Sequence, residues 1–250
     1  MIDKIKLKVS SFVADILEND AIRFGFIKNE KSNKNALLNK LIPVLVGVRK
    51  GRREEIEYIL KNEYNRSDSE NIYNAVNAVI DKVYFNDAEL NHLEEYIWLR
   101  PTYNSLDAFD EIETSEVILT AQDVPTYIRG LLNEYSRLPQ YKREMLTFDS
   151  ELDEFSEACE SGRVLHFSDR ETGEKYKAFA FHYYYGYLYD QTNYCVIYNI
   201  NRKVIKSVPV RRIQNIYMLN QKYKPSDALI DMLQEYADNC RFNEEVIVEE

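Results

Sequence analysis

Strict alternation over Lys4-Ile5-Lys6-Leu7-Lys8-Val9 is the feature that most narrows what this chain can form. Successive side chains leave opposite faces of a strand. These residues therefore predict a strand with Lys4, Lys6 and Lys8 on one face and Ile5, Leu7 and Val9 on the other. Val13, Ile16, Leu17, Ala21 and Phe24 follow at helical spacing and stop at Gly25, a common residue just past a helix end. Ser32 and Asn33 offer caps for a second helix carrying Leu37, Leu38, Leu41 and Leu45, which Pro43 should kink or end. A lone strand in this unit lacks a pairing partner, and the same strand from a second copy would supply one. The product would be an antiparallel ribbon with six lysines on one face, a shape that enters a nucleic-acid groove. An ordinary edge strand guarded by lysines is the structural alternative.

Charge is distributed in the same sense. The net charge is −10, yet residues 1–53 hold 12 Lys and Arg against 5 Asp and Glu (+7), and the other 197 residues hold 20 against 37 (−17). A basic head on an acidic body confines an electrostatic footprint to one end and repels nucleic acid from the rest. The three cysteines (Cys159, Cys195, Cys240) form no CxxC, and no signal peptide or long apolar run is evident. These features predict a cytoplasmic protein without membrane contact.

After Arg49-Lys50-Gly51-Arg52-Arg53 the pattern turns helical and acidic. Ile56, Ile59 and Leu60 mark one helix. Ile72, Ala75, Val76, Val79 and Val83 mark a second, with Asp68 or Ser69 as cap. Leu90, Leu93, Ile97 and Trp98 mark a third, which Asn86 would cap and Pro101 would end. An acidic loop is expected through Asp107, Asp110, Glu111 and Glu113. Pro125 stands where a helix through Tyr127, Leu131, Leu132 and Tyr135 would start. Shorter helices are expected over 140–147 and 150–160.

The period changes at Gly162. Strands are predicted over 163–168, 176–189 (interrupted at Gly186), 194–199, 203–210 and 212–219, with turns at 169–173, 190–193 and 199–202. Five short strands in under sixty residues predict a small barrel. Pro225-Ser226-Asp227 then caps a last helix through Leu229, Met232, Leu233 and Tyr236. The segment His182–Tyr189 holds five of the chain's 20 tyrosines. Exposed rings beside Arg202, Lys203, Lys206, Arg211 and Arg212 suit nucleic-acid bases, which stack on flat rings without sequence preference. Core or cross-strand packing is the alternative reading of each tyrosine.

Residues Lys4 to Leu45, above all Gly25-Phe26 and Lys34-Asn35-Ala36-Leu37-Leu38, resemble the ribbon-helix-helix DNA-binding family. The resemblance implies an obligate homodimer, with the ribbon in a groove and Lys34 and Asn35, at the second helix's N-terminus, near phosphate. The all-lysine ribbon favours backbone binding over base reading. Arg163 to Leu219 resembles a WYL domain, an Sm-like barrel of bacterial regulators and of proteins encoded beside CRISPR systems. The resemblance rests on the order of elements, on Asn193-Tyr194-Cys195 at the naming motif and on Arg212-Ile213 at its end. It implies a cationic pocket for nucleic acid or a nucleotide-like ligand, here Tyr183, Tyr185, Tyr194, Arg211 and Arg212.

No catalytic constellation stands out. His92, His166 and His182 are isolated and not at metal spacing, no phosphate-binding glycine loop or G-x-S-x-G element occurs, and the carboxylate clusters suit solvated helix faces. No catalytic residue, metal or cofactor is therefore expected. The sequence as a whole predicts an α+β chain: a ribbon-helix-helix head (1–50), a helical linker region (51–160), a WYL-like Sm/SH3-like β-barrel (161–220), and a C-terminal helix and acidic tail (221–250). Two functions fit. One is a homodimeric transcriptional regulator that binds DNA with its head and senses a ligand with its barrel. The other is a CRISPR-associated accessory protein that binds single-stranded RNA and modulates a nuclease effector.

Overall fold

The alternating residues at the start do form a strand, β1 (Ile5–Ser10), with Ile5, Leu7 and Val9 buried and the lysines exposed. Ser10 ends it and caps helix α1 (Ser11–Arg23), its hydroxyl accepting the Val13 N–H at 3.3 Å. Past α1, Gly25 takes φ +77° and lets Phe26 N–H reach back to the Ala21 carbonyl. A tight hairpin follows, β2 (Ile27–Lys28) against β3 (Lys31–Ser32), with Asn29 and Glu30 both at positive φ. The Asn33 side chain caps the next helix, α2 (Lys34–Glu63). The computed structural model describes residues 4–63, 93–114, 123–186, 190–239, 241–242 and 244–248.

Pro43 neither ends nor divides α2. It removes one backbone donor, but Leu37, Leu38, Leu41 and Ile42 before it and Leu45 and Val46 after it are all buried. Burying apolar side chains on both sides at about 1.5–3 kcal/mol each outweighs a proline cost of roughly 3 kcal/mol.

The expected third helix is a strand. β4 (Leu93–Leu99) runs antiparallel to β1, with Ile5 opposite Leu99, Lys6 opposite Trp98, Leu7 opposite Ile97 and Lys8 opposite Tyr96. Positions four apart share a face in both a helix and a strand, so Leu93 and Ile97 fit either. Tyr96 exposed, Ile97 buried, Trp98 exposed, Leu99 buried shows which period won. The pairing partner that a second copy was expected to supply is provided instead by β4 of the same chain. The ribbon therefore carries three lysines and two aromatic rings instead of six lysines.

The ribbon's inner face packs on α1 and α2, and on α4 (Val124–Arg137), whose N-cap Asp123 and early Pro125 match the expected start. Residues 107–113, expected as a loop, lie within helix α3 (Leu106–Thr114). Phe109 and Ile112, three apart, are buried while Asp107 and Asp110 are exposed, so the acidic run is the solvent face of a helix. The helix expected over 72–83 with its cap at Asp68 or Ser69, and the third helix's expected cap Asn86 and Leu90, lie outside the described residues.

The chain forms two compact units, Met1–Leu138 and Pro139–Glu250. The second opens with α5 (Gln140–Thr147) and α6 (Asp149–Ser161), which Gly162 closes at φ +65°. Strands β5 (Arg163–Asp169), β6 (Lys175–Tyr184), β7 (Tyr194–Asn199), β8 (Val204–Pro209) and β9 (Ile213–Lys222) follow, a single 3-10 turn at Val210–Arg212 joining the last two. Helix α7 (Asp227–Asp238), capped by Ser226, lays Leu229, Leu233 and Tyr236 against Phe179, Val196, Tyr198 and Ile205. A short β10 (Val246–Ile247) ends the described chain.

Among the described residues these strands make an antiparallel sheet in the order β10-β8-β7-β6-β5-β9. The expected barrel is not closed. Closure would pair β8 with β9, but β10 occupies β8's outer edge and β9 pairs with β5. Gly186 sits where a side chain would collide with the Thr192 backbone, its would-be Cβ 2.4 Å from the carbonyl oxygen, so the turn before β7 requires glycine. Tyr187, Leu188 and Tyr189 lie outside the described residues.

Candidate nucleic-acid interface

Alternation on both strands gives the ribbon's outer face its chemistry. Lys4, Lys6 and Lys8 from β1 and the run leading into it stand beside Tyr96 and Trp98 of β4, rings that are about half exposed (52% and 49%). Lys4 Nζ lies 3.6 Å from the Trp98 ring centre, and Lys6 Nζ lies 4.0 Å from Tyr96 and 5.5 Å from Trp98. Lys8 Nζ is 5.8 Å from Tyr96. These are cation–π distances, and they hold flexible ammonium groups beside the half-exposed rings. Arg129 of α4 steadies the strand by donating to the Lys8 carbonyl at 2.8 Å.

The other two residues expected near phosphate have internal work. Lys34 pairs with Glu18 at 2.7 Å, and this contact holds the Glu18 carboxyl below its usual pKa. The Asn35 side chain accepts the Arg100 N–H at 2.7 Å. One turn on, buried Asn39 accepts from Thr102 N–H (2.8 Å) and the Ser105 hydroxyl (2.6 Å), and donates to the Arg100 carbonyl (2.9 Å). The N-terminal turns of α2 thus clasp the chain leaving β4.

In the second unit each of the five residues expected to line a pocket makes contacts within the fold. Tyr194 is buried, donates to Asp190 at 2.9 Å, and lies flat against Phe242 with centres 4.4 Å apart and planes 7° apart. Tyr183 is half-buried, its hydroxyl has no hydrogen-bond partner among the described residues, and burial pushes its pKa up. Tyr185 is half-exposed and meets the Tyr183 ring edge-on. Arg211 is engaged by buried Glu144 (3.1 Å) and Thr192 (3.0 Å). Arg212 holds buried Asp169 at 2.6 Å and Glu171 at 3.2 Å. Both arginines brace turns of the sheet.

Asp169 also accepts the backbone N–H groups of Glu171 and Thr172. Burial alone would raise its pKa, but Arg212 and the two amides overcome that and hold the carboxyl below its ordinary 3.8. A carboxyl depressed on folding adds stability above the unfolded value, and that stability is lost as pH falls through the folded value. Asp169→Asn should therefore melt earlier than wild type at neutral pH and approach it below about pH 3.8. An equal melting gap at every pH would remove Asp169 from the acid response.

Of the histidines, His166 Nδ1 lies 3.2 Å from the Tyr217 hydroxyl, His182 is exposed on β6, and His92 lies outside the described residues. Among the described residues no three His, Cys, Asp or Glu side chains are grouped so as to hold a metal ion, and no helix is long and apolar enough to cross a membrane. Sequence reasoning missed Tyr96 and Trp98. The aromatic–aliphatic alternation Tyr96-Ile97-Trp98-Leu99 was the available signal.

No family model matches the sequence, and no curated protein matches it. Among solved structures, a protein described as a CRISPR Cas-related protein superimposes on 97% of this chain and 73% of its own, with a TM-score of 0.67 and 11% identity. The likeness is one of fold.

Proposed function

We propose that this protein is a non-catalytic accessory factor that binds single-stranded nucleic acid on the outer face of the β1–β4 ribbon. One observation carries the reading: Lys6 and Lys8 stand on one strand with Lys4 just before it, and a tryptophan and a tyrosine stand directly opposite on its neighbour. Flat exposed rings take bases of any sequence, and mobile ammonium groups take the phosphates between them. Among the described residues of this face, which include the exposed Glu94, no Arg, Asn or Gln offers the paired contacts that read base edges in a duplex groove. The fold likeness to a CRISPR Cas-related protein supports a place beside a CRISPR nuclease effector over transcriptional control. The strand order and 3-10 turn of the second unit support its WYL-like character.

Titration of labelled single-stranded RNA and DNA against duplexes of the same sequence tests this. Trp98→Ala should cost roughly 1–3 kcal/mol on single strands, about 5- to 150-fold in affinity. Replacing Lys4, Lys6 and Lys8 by Ala should flatten the slope of the salt dependence by roughly 0.7 for each phosphate no longer neutralised. All of these side chains lie on the solvent face, so melting should hardly move. Preference for duplex, or wild-type affinity in the folded Trp98→Ala variant, would end the reading.

A further inference from the structure

We propose that the outer edge of β8, with the aromatic slot beside it, is a docking groove for an extended acidic segment of a partner protein, and that residues 241–242 and 244–248 hold it shut in cis. The present occupant shows what the groove recognises. Val246 and Ile247 pair with Ile205 and Val204, and Val248 N–H donates to the Lys203 carbonyl at 2.9 Å. Ahead of this strand, Phe242 inserts its ring flat on Tyr194 and edge-on to Tyr184, at 5.4 Å. The Ser207 hydroxyl donates to the Phe242 carbonyl at 2.5 Å, and the Tyr236 hydroxyl donates to that of Glu244 at 2.8 Å. Lys206 Nζ meets the Glu245 carboxylate at 2.5 Å. Backbone pairing, an aromatic anchor and one charge match are the parts of strand-addition recognition, in which the ladder gives affinity and the side-chain sites give specificity.

The occupant holds the groove incompletely. Its ladder is two residues long, and Ile247 is 70% exposed. A cavity of about 170 Å³ lies beside it, lined by Lys206, Ser207 and Arg212 and by the acidic residues Asp169, Glu244 and Glu245. A longer strand would extend the ladder, and its own acidic residue would take the place that Glu245 holds on Lys206. Sheet edges capture any strand offered to them, so a short self-strand that protects the edge is also a competitor to be displaced. Attached in cis, it competes at an effective concentration in the millimolar range.

The test uses the full chain and a labelled peptide copying residues 241–248. Wild type should bind the peptide weakly, because its own segment fills the groove. The Phe242→Ala/Glu245→Lys variant, which loosens that segment, should bind it at least tenfold more tightly. A peptide with lysine in place of both glutamates should bind neither protein. Glu245→Lys alone, at a half-exposed side chain, repeats the comparison if the double variant melts early. Equal binding by wild type and the folded variants would overturn the proposal. So would variants whose gain appears only as dimers of the chain, because the occupant would then be a second copy's segment.

Discussion

Replacing Glu144 by Ala should lower the melting temperature of the second unit by about 10–20 °C, corresponding to roughly 3–5 kcal/mol. Glu144 is fully buried on α5, and one carboxylate oxygen accepts both the Asn193 backbone N–H (2.7 Å) and its side-chain amide (2.8 Å). The other accepts Arg211 at 3.1 Å. Burial pushes the Glu144 pKa up, and the Asn193 amide and the Arg211 charge pull against it. Removing the carboxylate leaves a guanidinium and two amide donors facing a void, and the uncompensated charge is the larger part of the cost. Glu144→Gln keeps one acceptor and should lose about half as much. A Glu144→Ala protein that melted within a few degrees of wild type would show that water replaces the carboxylate, and the network would then carry little stability.

The second large effect concerns the ribbon. Asn39→Ala should destabilise the first unit by roughly 1–3 kcal/mol. It removes the acceptor that Thr102 N–H and the Ser105 hydroxyl share, leaving them only each other and the Thr102 carbonyl, and removes a donor from the Arg100 carbonyl. The damage should spread locally. Amide hydrogen exchange in β4 should accelerate before that in α2, since the clasp fixes the chain leaving β4 while α2 keeps its apolar contacts. Nucleic-acid affinity should fall with it, although Asn39 is buried within α2 and presents nothing to a ligand. Unchanged β4 protection in this variant would mean that β1 pairing and the apolar face hold the strand unaided.

The parts of the fold legible in the chain were those with a local cause. Asn33 and Ser226 cap the helices that follow them, as expected. Gly162 ends a helix in the left-handed conformation, and β7 falls on the expected 194–199. Errors arose where a local signal was ambiguous or outvoted. Leu93 and Ile97 satisfy two periods, the acidic residues of α3 masked its Phe109–Ile112 stripe, and Pro43 was overruled by apolar contacts that no local pattern displays.

For the candidate site, the lysines of β1 and their face were determined by the sequence alone, because alternation in an exposed strand is a two-residue rule. What stands opposite them was decided only by tertiary structure. The partner strand begins more than eighty residues later, and a register that sets Lys6 against Trp98 and Lys8 against Tyr96 is a long-range pairing. The same division holds for the second unit. Tyr194, Arg211 and Arg212 could be named as aromatic and cationic from the chain. Only packing showed that Phe242 covers the tyrosine and that Glu144 and Asp169 claim the arginines, because charge and ring contacts between distant residues leave no periodic trace.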